Sequence, residues 1–447
     1  MTIDNLLNLS KKSSELIQSF PKSTRIRVVS HYDADGIASA AIICKALYRE
    51  GFDFHASIMR NPFNKGLERL SKEQNDLIIF CDMGSGQVET IESIKCKSII
   101  IDHHQYLKEK TTKNVLQINA NLCGMNGNYE ACGATLSYFI TKALNPINVD
   151  LVQLAMVGAT GDKQYIGGFS GYNKNVLEEA LKNGFLKQSV GIKLYGETLQ
   201  DSLYYSIDPY YSGLSGNNEE ITELFKKMKF NKDSKIEDLD ENQKKKLNSY
   251  LILKLLKIGC EKNILDTVIR TRYYSGELGC ELERFADLLD SCGKGGNRGL
   301  GLALCMGNKQ AFIEAIKFEK EYKQRIIDEL LVLEKEGFKE KKTFRYFYSR
   351  DSSLGGVISG ITINYMLDRE KPLFSISKND SEIHISCRAN QYLVGKGLDL
   401  GNAMKETAEK LNGYGGGHKI AAGATISLEK ESEFLEIVDK IISSQIK

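Results

Sequence analysis

Short apolar runs alternate with helical patterns along the first third of this chain. Continuous apolar runs typical of buried strands occupy residues 25–30, 76–81 and 98–101. Between the first two runs, residues 37–49 have the periodicity of a helix, and residues 134–143 predict another helix further on. Strands that alternate with helices indicate a parallel, doubly wound sheet. We therefore predict an α/β fold for the N-terminal region.

The pattern changes after about residue 165. Helical patterns dominate the middle of the chain, where residues 219–258 are rich in lysine and residues 309–336 predict one long charged helix. We interpret the lysines as a solvated helical face, and a phosphate-contacting surface is the alternative. The last segment combines β-type runs with helices, which predicts a small α+β domain.

Composition narrows the class of protein. A net charge of +2 over 447 residues excludes a strongly basic coat, so any nucleic-acid path must be a local patch. The ten cysteines are scattered without a C-x-x-C pair, which favours reduced thiols and a cytoplasmic location. The first residues lack the apolar core of a signal peptide, and no apolar run approaches the ~18 residues of a membrane span.

Polar side chains cluster where the predicted strands end. They form the ordered set His31-x-Asp33-x-Asp35-Gly36, Asp82 and Asp102-His103-His104, and a further acid, Asp162, follows the apolar helix predicted at 149–157. Three of the six histidines in the chain belong to this set. Ligands of parallel sheets bind at the carboxyl ends of strands, and imidazoles mixed with carboxylates favour Mn²⁺, Zn²⁺ or Fe²⁺ over Ca²⁺. The recurrence predicts a metal centre, although the first turn taken alone is equally compatible with a plain helix N-cap.

This ordered set, together with Asp162, resembles the four motifs of the DHH phosphoesterases. Near the other end, Gly413-Tyr-Gly-Gly-Gly-His418 followed by Ala421-Ala-Gly423 is similar to the signature of their C-terminal partner domain, DHHA1. The stretch from Leu288 to Gly307 is similar to the archaeal RecJ-like branch, which includes the GINS-associated nuclease. The resemblance implies a DHH domain at 1–190, a helical family-specific region with a connector helix at 191–336, and a nucleic-acid-binding DHHA1 domain at 337–447.

The resemblance also implies two divalent cations, with Mn²⁺ favoured and Mg²⁺ as the alternative. One cation is expected at His31, Asp33 and Asp82. The other is expected at Asp35, Asp82, His103 and Asp162, so that Asp82 bridges the pair. His104 is expected to face the scissile phosphate, and Asp102 to orient a ligating imidazole, with a purely structural role for Asp102 as the alternative.

A second site is implied in the DHHA1 domain. Backbone N–H groups of Gly415, Gly416 and Gly417 are expected to approach an oxyanion, with His418 as a further donor. Arg388 is expected to grip a phosphate, because its planar fork binds phosphate oxygens in pairs. Together these residues are similar to a clamp that holds single-stranded nucleic acid.

The function implied is a metal-dependent exonuclease on single-stranded DNA or RNA, acting in DNA replication or repair. The alternative within the same enzyme class is a phosphodiesterase for short oligonucleotides or cyclic dinucleotides. The alternative from another class is a replication scaffold that binds the GINS complex and the replicative helicase. Because every acid and histidine of the motifs is present, the sequence favours an enzyme over a pure scaffold.

Overall fold

The chain folds into two compact units, each of which is discontinuous in sequence. The computed structural model describes residues 2–59, 65–106 and 112–446. Unit 1 comprises Met1–Gly191 and Thr271–Glu319, and unit 2 comprises Ile192–Arg270 and Lys320–Lys447. The domain boundaries predicted at residues 190 and 336 stay a prediction.

The β-strands are numbered in chain order. They are β1 Ile26–His31, β2 Phe54–Met59, β3 Leu77–Cys81, β4 Lys97–Asp102, β5 Val115–Asn119, β6 Leu186–Ile192, β7 Ile269–Ser275, β8 Cys280–Glu281, β9 Lys339–Glu340, β10 Arg345–Tyr348, β11 Leu373–Lys378, β12 Glu382–Arg388, β13 Tyr414–Gly417 and β14 Ala421–Ser427.

The α-helices are numbered in the same way. They are α1 Thr2–Gln18, α2 Ala34–Arg49, α3 Lys65–Lys72, α4 Val88–Ser93, α5 Gly133–Leu144, α6 Val152–Gly161, α7 Gly171–Lys182, α8 Leu199–Tyr204, α9 Asn218–Met228, α10 Glu241–Ile258, α11 Lys262–Val268, α12 Leu282–Gly295, α13 Arg298–Cys305, α14 Lys309–Glu336, α15 Gly355–Tyr365, α16 Gln391–Gly395, α17 Leu400–Lys410 and α18 Glu431–Gln445.

A five-stranded parallel sheet organises unit 1. Its strand order is β2-β1-β3-β4-β5, with every pair parallel. The apolar runs form its central strands because both faces are covered, and β3 is buried along its whole length. Helices α2, α5 and α6 form one face of the core, where small side chains such as Ala38 and Ala41 are fully buried. The predicted doubly wound α/β fold is confirmed.

Unit 2 contains a six-stranded sheet of the order β13-β14-β12-β11-β10-β9. It is mixed, because β10 and β11 are parallel while β11, β12, β14 and β13 pair antiparallel. Apolar residues of β12 and β14 pack with α17 and α18 in one core cluster. The predicted α+β character of the C-terminal region and the helical middle region are confirmed.

Two local expectations differ from the structure. The glycines at 415–417, whose pattern is typical of a loop, form the edge strand β13, since they pair with β14 along its whole length. The apolar segment at 149–157, predicted as one helix, begins with a 3₁₀ turn at Pro146–Leu151 and becomes α6 only at Val152. Among the described residues, no helix is both long enough and apolar enough to cross a bilayer.

Candidate metal centre

The turn after β1 supplies the first group of polar side chains. His31 ends the strand, and Asp33 caps α2 by accepting a hydrogen bond of 3.0 Å from Gly36 N on Oδ1. The other Asp33 oxygen, Oδ2, lies 2.9 Å from His31 Nδ1. A Cβ on Gly36 would lie 2.3 Å from the carbonyl oxygen of His31, so the turn requires glycine there. One carboxylate therefore both caps the helix and faces the imidazole.

Asp35 lies at the start of α2 and is held by the N-terminus of another helix. Its side chain accepts hydrogen bonds from Gly133 N (2.7 Å) and Ala134 N (2.8 Å), the first residues of α5. A helix N-terminus favours a negative charge. Even so, burial and the nearby Asp82 and Asp162 carboxylates raise the pKa of Asp35 well above its usual range. A cation at this position would relieve both the burial cost and the repulsion.

Asp82 lies between two imidazoles at the end of β3. Its oxygens point in different directions, with Oδ2 3.4 Å from His31 Nδ1 and Oδ1 3.1 Å from His103 Nε2. Burial alone would raise the pKa of Asp82, but the two histidines outweigh burial and hold it well below its usual range. The backbone of Asp82 is left-handed, with φ of 56°. Aspartate tolerates this conformation better than most residues.

Asp102 shapes the loop that follows β4. It is 1% exposed and accepts hydrogen bonds from the backbone N–H groups of Ser85, His103 and His104. Its Oδ1 also lies 2.8 Å from Nδ1 of the His104 ring. Burial opposes the charge of His104, yet Asp102 and Asp82 raise the pKa of His104. Asp102 therefore orients His104, which is not one of the predicted ligands.

His103 and Asp162 complete the cluster. His103 Nδ1 lies 2.6 Å from the carbonyl oxygen of Gly127, so Nδ1 donates and Nε2 faces the carboxylates. Nε2 lies 3.2 Å from Oδ2 of Asp162, the residue that follows α6. Burial raises the pKa of Asp162 to about 7, with Asp82 and Asp33 contributing while His103 opposes the shift.

These side chains form three overlapping ligand groups of the kind that hold divalent cations. The first group is His31, Asp33 and Asp82, the second is Asp35, His103 and Asp162, and the third is Asp82, His103 and His104. Within each group the ligand atoms lie within 4.8 Å of one another. Two atoms of the cluster, His31 Nδ1 and Asp82 Oδ1, are buried and lack a properly oriented hydrogen bond to any described residue. Mixed imidazole and carboxylate donors with unsatisfied lone pairs fit divalent metal.

The residues predicted for phosphate binding lie together in unit 2. Arg388 ends β12 and pairs in register with Ala421, while Gly417 pairs with the next residue of β14, Ala422. His418 is exposed after β13, and its N–H donates a 2.8 Å hydrogen bond to the carbonyl of Ala421. The arginine, the glycines and the histidine therefore converge on the first residues of β14.

Comparison with protein-family models divides the chain into three regions. The model described as "DHH family, N-terminal domain" matches residues 25–159, which contain the β1 to β4 part of the ligand cluster. The model described as "Archaeal Cdc45" matches residues 168–295, and the model described as "DHHA1 domain" matches residues 344–444. An uncharacterised protein of Methanocaldococcus jannaschii is 30% identical over 434 residues, which is 94% of either chain.

This chain belongs to the DHH/DHHA1 family, in its RecJ-like group.

Three further comparisons relate this DHH/DHHA1 protein to the exonuclease RecJ and to Cdc45. The single-stranded-DNA-specific exonuclease RecJ of Thermus thermophilus is 26% identical over 207 residues, covering 43% of this chain and 30% of RecJ. The structure of that RecJ with Mn²⁺ matches 98% of this chain and 55% of RecJ, with a TM-score of 0.61 and 16% identity. Cdc45 of Entamoeba histolytica matches 99% of this chain and 98% of Cdc45, with a TM-score of 0.67 and 14% identity. At these identities the structures show a shared fold.

Divalent metal binding is the chemistry that the DHH cluster supports. RecJ structures have been described with Mn²⁺ and with Mg²⁺, and all three ligand groups of this chain consist of acidic and histidine side chains. The chain's relation to RecJ supports a function of phosphoesterase or nuclease type.

A carboxylate outside the motifs also contacts the turn between β1 and α2. Asp290 of α12 accepts a hydrogen bond of 2.8 Å from Ala34 N, directly between Asp33 and Asp35. A Cβ on Gly293, one turn later, would lie 1.7 Å from the carbonyl oxygen of Tyr32. Helix α12 therefore packs directly on the backbone of the turn. In the sequence the glycine-rich stretch from Leu288 onwards carries only a family resemblance, and no spacing links Asp290 to a residue 256 positions away.

Two glycines make room for the Asp35 carboxylate. A Cβ on Gly158 of α6 would lie 2.4 Å from Asp35 Oδ1, and a Cβ on Gly133 of α5 would lie 2.9 Å from Oδ2. The sequence does not single out either glycine, because a helical glycine has many causes. Only the close approach of two helices to one buried carboxylate gives them a role.

Proposed function

We propose that this protein is an exonuclease that hydrolyses phosphodiester bonds of single-stranded DNA by a two-metal mechanism, with RNA as a further substrate. The observation that carries the proposal is the position of Asp82, whose two oxygens face different ligand groups. A carboxylate that faces both groups is suited to bridge two cations. The proposed ligands are His31, Asp33 and Asp82 for one cation, and Asp35, Asp82, His103 and Asp162 for the other.

Divalent cations held by these residues would supply Lewis-acid stabilisation of the negative charge that develops at phosphorus. The protein's own contribution is to hold four carboxylates and two imidazoles in one buried cluster before substrate arrives. Mn²⁺ is the proposed metal, since imidazole ligands favour it over Mg²⁺.

His104 is proposed to act on the substrate phosphate. Its Nδ1 faces Asp102, and the same carboxylate raises the pKa of the ring. Asp102 therefore favours the protonated ring, in which Nε2 can donate a hydrogen bond to a phosphate oxygen or a proton to the leaving group. His104 is half exposed, which leaves it accessible to substrate.

Unit 2 is proposed to hold the nucleic acid away from the cut. The proposed contacts are Arg388, the backbone of Gly415, Gly416 and Gly417, and His418. A Cβ on Gly416 would meet no atom within 4 Å, so the open side of this glycine is available to a phosphate.

A digestion assay tests the proposal. Single-stranded DNA and RNA labelled at either end are incubated with Mn²⁺ and the full chain, beside Asp82→Asn and His418→Ala. We expect nucleotides to be removed from one end, with loss of activity in Asp82→Asn and weaker digestion of long substrates by His418→Ala. Activity confined to di- or trinucleotides would move the assignment to a small-substrate phosphodiesterase.

A second candidate function is a replication scaffold. The match of residues 168–295 to the archaeal Cdc45 model favours it. The partners proposed for this role are the GINS complex and the replicative helicase. The scaffold function would be favoured if none of the labelled substrates were hydrolysed with Mn²⁺ and if these partners co-purified with the protein. The cytoplasmic location expected from the sequence stays a prediction.

A further inference from the structure

One face of the six-stranded sheet carries polar side chains and an exposed aromatic ring. A Cβ on Gly415 would lie 2.3 Å from the carbonyl oxygen of Met404, so residue 415 faces α17. Because side chains alternate along a strand, Tyr414 and Gly416 face the opposite side. We call this side the outer face.

The strand register arranges the outer face in two neighbouring rows. The first row, beside the proposed phosphate contacts, is Ser386, Gly423 and Gly416. The second row is His384, Thr425 and Tyr414. Two residues along the strand separate the rows, which is about 6.7 Å. That distance is comparable to the reach from a backbone phosphate to the base of the same nucleotide.

Hydrogen bonds within the second row determine which of its groups can donate a proton to a ligand. Asn379 Oδ1 accepts from the N–H groups of Ser381 (3.0 Å) and Glu382 (2.7 Å), so its amide nitrogen faces His384 Nε2 at 3.2 Å and donates to it. The proton of His384 is then on Nδ1, which donates to Thr425 Oγ1 at 3.1 Å. Since Thr425 accepts this bond, its own hydroxyl proton can be donated to a ligand.

Tyr414 has the properties of a stacking platform. It is 84% exposed although it lies within a strand, and the His384 side chain is 41% exposed. A cross-strand pair of tyrosine with Thr425 would explain its presence by sheet stability alone. Stacking on a base would explain both the exposure and the hydroxyl donor beside it, because every base has an aromatic face and at least one acceptor on its edge.

We propose that Tyr414, Thr425 and His384 form a base-binding subsite for single-stranded nucleic acid. Tyr414 stacks on the base, Thr425 donates a hydrogen bond to an acceptor on its edge, and His384 orients the Thr425 hydroxyl. The subsite rests on the proposed nuclease function, because the phosphate of the same nucleotide is held at the first row. It accepts all four bases and binds an abasic position more weakly.

The test combines protein variants with a walk of abasic sites. The full chain carrying Asp82→Asn, which leaves the nucleic acid uncut, is titrated into labelled single-stranded oligonucleotides with one abasic site at successive positions. Fluorescence anisotropy gives Kd. We expect one abasic position to weaken binding about tenfold, which is the lower part of the range for one base–aromatic stack.

The matched variants separate stacking from folding. Tyr414→Leu is expected to bind the intact oligonucleotide about tenfold more weakly than the parent. The affinity of this variant should no longer depend on the abasic position. Tyr414→Phe should retain the parent's affinity and sensitivity. Thr425→Val, which keeps the shape but removes the hydroxyl, should weaken binding about threefold to tenfold. Tyr48→Leu removes a 74% exposed tyrosine from unit 1 and should change nothing.

Three results would overturn the subsite. They are equal losses in Tyr414→Phe and Tyr414→Leu, unchanged abasic sensitivity in Tyr414→Leu, and no binding of single strands at all. Hydrolysis by the unsubstituted chain is measured separately. Cleavage without the abasic effect refutes the subsite alone, whereas the abasic effect without cleavage refutes the exonuclease and supports the subsite.

Discussion

Protons and cations compete for the same side chains in the DHH cluster. Burial raises the pKa of Asp162 to about 7, and Asp33 and Asp82 raise the pKa of His31 to about 11 although burial opposes this shift. A metal ligand must be deprotonated. Below about pH 7 the metal-free site therefore retains a proton on Asp162 that a cation must displace. We expect the affinity for Mn²⁺ to rise with pH between about pH 6 and pH 8, by about tenfold per pH unit for each proton released.

Calorimetry in two buffers of different ionisation enthalpy measures both quantities. The number of protons released should be at least one below about pH 7, and it should stay above zero at about pH 8, where His31 still carries its proton. An affinity that does not change with pH, with no proton release, would contradict the assignment of these residues as ligands.

His104 depends on Asp102 for its charge. Asp102→Asn removes the negative charge, so the pKa of His104 should fall. The remaining side-chain oxygen can still accept from the N–H groups of His103 and His104, while the bond from Ser85 N is lost. If His104 donates a proton during the reaction, kcat should fall about tenfold to a hundredfold, which is modest for the loss of a general acid. The decrease of kcat at high pH should also begin at a lower pH than in the parent. A variant that loses kcat with no change in the pH profile would indicate that Asp102 only shapes the loop.

At the scale of elements, three helices converge on one carboxylate. The N-terminus of α5 binds Asp35, and α6 approaches so closely that Gly158 has no room for a side chain. Gly158→Ala should displace Asp35 and weaken Mn²⁺ binding about tenfold to a hundredfold, as is typical for the support of metal ligands. Gly299→Ala in α13 is the control, because a Cβ there meets no atom within 4 Å. Equal Mn²⁺ affinity in the two variants would show that the close approach is harmless.

Helix α12 makes a separate contribution through Asp290. Asp290→Ala leaves Ala34 N without its acceptor, which should lower the free energy of unfolding by about 0.5–2 kcal/mol, as for loss of a helix cap. Mn²⁺ affinity should fall with it, because Asp33 and Asp35 flank the released N–H. Asp290→Asn keeps an acceptor oxygen and should recover most of the stability. Chemical denaturation with and without Mn²⁺ measures both effects, and full stability in Asp290→Ala would refute the role.

Elements were predictable from the sequence where a local pattern determined them. The buried strands β1, β3 and β4 end at His31, Cys81 and Asp102 because apolar runs stop there, and this allowed the proposed ligands to be expected at one edge of the sheet. The glycine run of β13 could not be recognised as a strand, since glycine has no strand preference and its pairing with β14 is a tertiary contact. The contact of Asp290 with the turn between β1 and α2 could not be predicted either, because it is also a tertiary contact.

At the scale of the molecule, metal should stabilise unit 1, which contains all the proposed ligands. Mn²⁺ at about a hundred times its Kd contributes about 2.7 kcal/mol to the folded state. The Tm of that unit should therefore rise by about 5–10 °C, and chelation should reverse the change. Calorimetric melting with Mn²⁺ and with EDTA measures this shift. Asp82→Asn should lose most of the shift, and an equal shift in that variant would show that Mn²⁺ binds elsewhere.

The discontinuity of unit 1 has a consequence for the order in which the protein is synthesised. Every proposed ligand has emerged from the ribosome once the chain has been translated far enough beyond residue 162 to fill the exit tunnel. The acceptor that caps the turn, Asp290, is made 256 residues after Ala34, and the unit is complete only at Glu319. Contacts between residues so far apart in the sequence form slowly compared with local structure. A nascent chain therefore carries the proposed ligands long before it carries Asp290, the acceptor that holds the turn between two of them.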